Sequence, residues 1–296
     1  LFGSMLKCSG NMKVPSMLNI MMCILDVIFN SIFIFVLGFG VAGAAMGTSC
    51  AYLVTTSLMG YFLIFRSDIL HLKGRRGSFR PTTSTVKAAF GIGAPMGLQH
   101  LLMGGAQIVS TMIVAPLGTI AIAAHSLAIT VESLCYMPGY GIAEAATTLV
   151  GQGIGAGQRL LTRSFAYLSV GLGVLVMTFM GGMMYLFAPQ LMALMTPVEL
   201  IQEVGTVCLR IEAFAEPMFA AAIVCNGVFI GAGDTLRPAM MSLASMWGVR
   251  LTLAALLAVS HGLPGVWTAM AIELTFRGLI FLTRLWHGGW ANRMRT

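Results

Sequence analysis

Long apolar runs separated by short polar breaks fill this chain from end to end. Nowhere does the sequence show the every-second-residue alternation of a membrane β-barrel. Eight runs, at about 14–37, 41–65, 89–114, 118–148, 160–188, 204–230, 236–260 and 263–286, each reach the roughly 20 residues a helix needs to cross a bilayer. Residues 1–6 read as the tail of a further span. The pattern predicts an all-α, polytopic helical membrane protein. Composition agrees: 57% of residues are hydrophobic and 9% charged, with a mean hydropathy of +0.88. A soluble domain carries roughly 25% charged residues.

The net charge of +7 raises the question of a nucleic-acid partner. The positions of the bases answer it. Threading the spans back and forth puts Lys7, Lys13, Arg66, Lys73, Arg75, Arg76, Arg80, Lys87, Arg159, Arg163, Arg237, Arg284, Arg293 and Arg295 on one side. Only Arg210 falls on the other, and Arg250 and Arg277 lie within spans. This is the positive-inside asymmetry, which predicts a cytoplasmic C-terminus. The basic balance then requires no nucleic acid. Cys8, Cys23, Cys50, Cys135, Cys208 and Cys225 show no metal-ligand spacing and read as small apolar residues.

The chain also repeats itself. Gly10, Pro15 and Met17 share their spacing with Gly233, Pro238 and Met240. Pro15 opens a span that ends near Gly40 and Gly43; Pro238 opens one that ends near Gly262 and Gly265. Two hairpins thus follow one plan, and both begin on the basic side, so the repeat is parallel. The second hairpin closes a six-span unit at 89–287. The first, at 1–65, would close an equal unit of which only a stub and two spans are present. The duplication predicts about 135 further residues before Leu1. Residues 66–88, basic and punctuated by Gly and Pro, read as a cytoplasmic linker, and 288–296 as a cytoplasmic tail.

A charge inside lipid costs about 2.5–3.5 kcal/mol on insertion scales, so each one needs a partner or a function. Asp26 lies midway along its span with no base nearby; it reads either as a coupling carboxylate or as a packing partner of Asn30. Glu132 lies in mid-span before Pro138 and Gly139, which are expected to break the helix. It reads as a cavity residue or an interhelical hydrogen-bonding group. Glu216 lies one helical turn from Glu212 and is the deeper of the two; Glu212 reads as solvated beside Arg210. Gln99, His100 and Gln107 are candidates to line a cavity. Arg250 and Glu273 lie at matching distances from the turn near residue 261 and predict a structural ion pair that Arg277 could join. Asp234 reads as a helix N-cap, and Glu144 as a backbone contact. The run "GQGIGAG" at 151–157 follows a membrane helix and lacks the Lys-Ser/Thr tail of a phosphate loop, so no nucleotide site is expected.

Three stretches, "PLGTIAIAAHS" (116–126), "MPGYGIAEAATTLVGQGIGAGQ" (137–158) and "GVFIGAGDTLRP" (227–238), resemble the multidrug and toxic compound extrusion (MATE) family. The resemblance implies twelve spans in two six-helix lobes around a central cavity, with the first lobe incomplete here. It also implies export of drugs and organic cations in exchange for H+ or Na+. The family's fifth span often reads Asn-x-x-x-Asp-Pro-Ile-Phe-Ile-Phe. Here "DVIFNSIFIF" (26–35) exchanges the two polar residues, so the resemblance implies a coupling site at Asp26, Asn30 and Thr48. One branch of the family carries carboxylates where this chain has Met103 and, nearby, Phe219, which weighs against that branch's second-lobe sodium site.

These observations predict a secondary antiporter, acting as a monomer in the cell membrane on small organic cations, with no cofactor or metal beyond the coupling ion. No enzyme motif is present. A flippase for lipid-linked sugars or a polysaccharide exporter of the same superfamily is the alternative, although such a protein calls for several cavity-facing bases. Four spans short of twelve, the chain alone is expected to be inactive. The charge asymmetry makes a topological prediction. A reporter fused after Thr296 will report from the cytoplasm, and one placed in the 189–203 segment from outside; the reverse in a protease-protection assay would overturn the map.

Overall fold

The computed structural model describes residues 2–8, 10–66 and 82–290. The 67–81 part of the linker and the tail beyond Trp290, with Lys73, Arg75, Arg76, Arg80, Arg293 and Arg295, lie outside the described residues. The chain forms two compact units, Leu1–Arg80 and Pro81–Thr296. The first contains α1 (Phe2–Cys8), α2 (Lys13–Ser31) and α3 (Gly40–Tyr61). Helix α2 runs on through a π-helical turn at Ile32–Val36, and α3 through another at Phe62–Arg66. The second unit contains α4 (Thr83–Val114), α5 (Thr119–Gly155), α6 (Arg159–Met195), α7 (Glu199–Ala213), α8 (Glu216–Gly231), α9 (Leu236–Ala244) and α10 (Leu251–His287).

Each expected span has its helix, with three differences in detail. The run at 204–230 is not one rod: α7 and α8 meet at a bend of 59°, and Pro217 opens α8. Helix α5 does not break at Pro138 but continues through it for 37 residues. The helical stretch Leu236–His287 is 52 residues long, far more than a bilayer needs. It folds back on itself at Gly262, where φ is 59° and ψ −141°. Two contacts close this hairpin: Ser245 Oγ donates to Glu273 Oε1 at 2.6 Å, and Arg250 Nη2 reaches Met270 Sδ at 2.6 Å. The 189–203 segment is mostly helical, leaving only residues 196–198 between α6 and α7.

Helix α8 is the axis of the second unit. It is apolar on every side, as a fully enclosed helix must be. Phe219 to Cys225 and Gly227 to Phe229 are all buried, with α5, α6 and α10 packed around them. Helix α6 instead has one outward stripe, Leu168, Leu172, Leu175, Phe179 and Leu186, all exposed at helical spacing. In water such a stripe would be an aggregation surface; in a bilayer it faces lipid. Cys135, Cys208 and Cys225 are buried free thiols, used as small apolar groups.

The repeat reappears as matching turns. Gly10 and Gly233 both take a left-handed φ, of 89° and 73°. Gly10 N donates to Lys7 O and Asn11 N to Leu6 O; Gly233 N donates to Ile230 O and Asp234 N to Phe229 O. These are the paired bonds of a Schellman cap, which consumes the last carbonyls of a helix where water is scarce. Asp234 is not the N-cap expected of it. Its carboxylate pairs with Arg284, fifty residues on, and no side chain caps α9. Distance in sequence concealed that partner.

Helix α8 approaches α5 at two glycines. A Cβ on Gly227 would meet the carbonyl oxygen of Ala143 at 2.5 Å, and one on Gly231 that of Thr147 at 2.5 Å. The close approach lets Thr147 Oγ1 donate to Gly227 O at 2.8 Å. Small residues are what allow membrane helices to pack this tightly. Gly227→Val will therefore destabilise the unit by about 1–3 kcal/mol, the usual cost of overpacking. Gly182 on α6, with nothing within 4 Å, will gain up to about 1 kcal/mol as Gly182→Ala. Thermal unfolding of the two variants in detergent checks the contrast.

Candidate functional site

Two adjoining cavities lie inside the second unit. The larger, about 480 Å³, is lined by Gln99 and His100 of α4, Tyr140 and Glu144 of α5, Asn226 of α8 and Arg277 of α10, among others. The smaller, about 260 Å³, is lined by Gln107, Glu132, Tyr136, Arg250 and Met270. Met103, Tyr140, Phe219 and Arg277 line both and form the neck between them. The neck is aromatic: Tyr136 meets Tyr140 and Phe219 edge to face at 5.7 and 5.6 Å, and the Arg277 guanidinium lies 5.7 Å above the Phe219 ring. Met96, Met103, Met246 and Met270 supply adaptable apolar wall.

Of the expected cavity residues, Gln99, His100, Gln107 and Glu132 therefore reach a cavity, but Glu216 does not. Glu216 is fully buried against α6, where a Cβ on Gly181 would lie 3.0 Å from its own Cβ. Glu132, Glu212 and the Cys135 thiol are the titratable groups around its carboxylate, whose two oxygens have no hydrogen-bond partner. Glu212, expected to be solvated beside Arg210, is also fully buried, and neither of its oxygens has a hydrogen-bond donor. Arg210 lies over the Tyr185 ring instead. The two glutamates flank the bend between α7 and α8 and are both enclosed there.

The expected Arg250–Glu273 pair is corrected in its partner. Glu273, fully buried, is held by Arg277 one turn along α10: Nη2 donates to Oε2 at 2.9 Å and Nε lies 2.9 Å from Oε1. Arg250, 8% exposed, points to Met270 and into the smaller cavity that Glu132 also lines. Nearby, Trp267 Nε1 donates to His125 Nδ1 at 3.1 Å. Neither His125 nor Trp267 was expected at the site. They are one hundred and forty-two residues apart, and no local spacing announces them.

In the first unit, Asp26 and Asn30 sit one turn apart on α2. The Oδ1 atom of each is buried with no hydrogen-bond partner. Asn30 Oδ1 presses on Gly47 of α3, where an added Cβ would collide with it. Thr48 is the next residue. Thr55, two turns on, returns its Oγ1 to Ala51 O at 2.9 Å, whereas Thr48 makes no such bond. Asn30 thus packs at the level of Gly47 and Thr48, with Asp26 one turn away along α2. Among the described residues, no three His, Cys, Asp or Glu side chains converge on a metal-binding geometry.

A sequence profile of the MatE family matches residues 95–256. The chain is 28% identical over 298 residues to a probable multidrug resistance protein NorM of Thermotoga maritima, covering 99% of this chain and 64% of that relative. It is 29% identical over 256 residues to a probable multidrug resistance protein NorM of Brucella suis, covering 83% and 54%. The chain therefore spans less than two thirds of the length of these relatives. Its fold matches an outward-facing multidrug resistance MATE transporter with a TM-score of 0.87 at 21% identity, over 97% of this chain and 64% of that one. It also matches a MOP superfamily transporter from Pyrococcus furiosus with a TM-score of 0.88 at 20% identity, over 97% and 64%. The profile match runs from α4 into α10 and covers more than half of the sequence, and this chain belongs to the MatE family.

Proposed function

We propose that the chain is the larger part of a secondary antiporter of the cell membrane, with a cytoplasmic C-terminus, that exports organic cations or drugs in exchange for H+ or Na+ and acts as a monomer. The observation that carries this reading is the Asp26–Asn30 pair. Two buried side-chain oxygens without hydrogen-bond partners lie one turn apart on α2, Asn30 packs on Gly47 next to Thr48, and no base forms an ion pair with Asp26 among the described residues. A carboxylate at that depth needs a cation to neutralise it. An exchangeable ion supplies one and couples its passage to the lobe. The methionines and aromatic rings of the two cavities suit flat or flexible apolar cations, which π faces attract. The names of the Thermotoga and Brucella relatives point the same way.

One observation favours a second reading, a flippase for an anionic lipid-linked sugar: two guanidinium groups, Arg250 and Arg277, line the smaller cavity. Arg277, however, is already bound by Glu273. The pair leaves one base to meet a pyrophosphate, where several would be needed.

One charge crossing 100 mV gains about 2.3 kcal/mol, enough for a roughly fiftyfold gradient of an uncharged partner. In the complete transporter, Asp26→Asn keeps the side chain's shape and removes the charge that the ion must neutralise. Dye efflux driven by an imposed pH or Na+ gradient will be lost, while the variant still folds and binds dye. Normal efflux by Asp26→Asn, with efflux lost in Glu132→Gln or Glu216→Gln, would move coupling to the second unit.

A further inference from the structure

The two hairpins can be matched arm by arm from their tightest contacts, although the reversal between the markers is two residues longer in the first. In the first, Gly40 turns the chain with φ 55°, and Gly43 presses on the Phe33 carbonyl, which an added Cβ would meet at 2.8 Å. In the second, Gly262 turns it with φ 59°, and Gly265 presses on the Leu257 carbonyl. Phe33 and Leu257 thus mark one level, as do Gly43 and Gly265. Asn30 stands three residues before Phe33, and Ala254 three before Leu257. Gly47 stands four after Gly43, and Ala269 four after Gly265. Asn30 packs on Gly47; Ala254 and Ala269 are both fully buried at the corresponding crossing. By the same count Asp26 corresponds to Arg250, each seven residues before its marker. Thr48 corresponds to Met270, each five after its glycine. Arg250 Nη2 reaches Met270 Sδ, so the second hairpin makes a direct contact between the very positions at which the first holds Asp26 and Thr48.

The repeat therefore inverts its charge at one place. We propose that Arg250 is a tethered counter-cation: it stands where the first repeat carries a carboxylate, and it neutralises Glu132 across the smaller cavity, so that this position takes up no exchangeable ion. The proposal rests on the reading of Asp26 as the ion-binding carboxylate of the first repeat. The surroundings of Arg250 support the assignment. His125, Glu132, Tyr136 and Tyr140 face it from α5, Glu212 from α7, and Glu273 and Arg277 from α10. Glu273 is consumed by Arg277 and Ser245. Arg277 adds no free charge once paired. Glu132 is the carboxylate that shares a cavity wall with Arg250. Glu212 and Glu216 lie behind that wall and line neither cavity.

The test counts bound cations on the purified protein at pH 8, protons by potentiometric titration and Na+ by equilibrium dialysis. Arg250→Met will bind about one more proton or Na+ per molecule than the parent, because Glu132 has lost its resident cation. Arg250→Lys, which keeps a charge, will bind no more than the parent. Adding Glu132→Gln to Arg250→Met will abolish the gain. Equal binding by Arg250→Met and the parent, with cooperative unfolding retained, would overturn the proposal. If Arg250→Met does not fold alone, the double variant with Glu132→Gln must recover folded protein, and failure to do so overturns the proposal equally. Asp26→Asn is measured beside them. Should it bind as many cations as the parent, the coupling reading of Asp26 fails, whatever the Arg250 variants do.

Discussion

A carboxylate at the depth of the hydrocarbon has no water to solvate it, and the cost of leaving it as a bare anion is several kcal/mol. Three intramembrane acids of this chain stand under that constraint in three different ways. Glu273 is gripped by Arg277 and by the Ser245 hydroxyl, which also ties the two arms of the last hairpin together. Glu132 opens onto a cavity that it shares with Arg250. Asp26 pairs with no base among the described residues. The first arrangement builds structure, the second sets a charge beside space, and the third, on the function proposed above, leaves the neutralising ion to come from outside. Structural and functional acids thus differ less in their chemistry than in who supplies the cation.

The spans, their hairpin turns and the duplication were legible in the sequence because each has a local cause. Hydropathy over some twenty residues marks a membrane helix. A glycine near a span's end marks a chain reversal, and Gly40 and Gly262 both proved to sit at left-handed turns. The partners of buried charges were less legible. Matching distances from a turn put Arg250 and Glu273 at one depth, yet depth says nothing of the direction in which a side chain leaves its helix. Arg277, one turn from Glu273 on the same face, had the shorter reach. Asp234 looked like a cap because caps are local; its partner Arg284 is not. Glu212 looked solvated because it lies near the outer end of its run beside Arg210, yet Arg210 lies over Tyr185 and Glu212 is fully buried. The His125–Trp267 bond left no trace, since His125 stood in a family-like stretch with nothing to tie it to a tryptophan on another helix.

The second unit also shows why an apolar helix can be central in a membrane protein without any hydrophobic driving force. Lipid is as apolar as the side chains of α8, so enclosure must come from shape and from polar contacts. Glycines at 227 and 231 bring α8 onto α5 until a threonine hydroxyl can bridge two backbones. The exposed leucines of α6 face the bilayer and contribute nothing to that grip.

The turn between α8 and α9 spans only residues 232–235. Its amides take up the last carbonyls of α8, and its aspartate is fastened to α10 through Arg284, whose guanidinium also lies 5.3 Å above the Phe229 ring of α8. Mechanically this is a rivet through three helices at one end of the lobe. A lever riveted at one end can yield only farther along its length. The two discontinuities of this unit, the bend at residues 214–215 and the reversal at Gly262, both lie at the far ends of the riveted helices. Motion in the lobe must therefore grow with distance from Asp234, and the residues that swing most are those beside the two breaks.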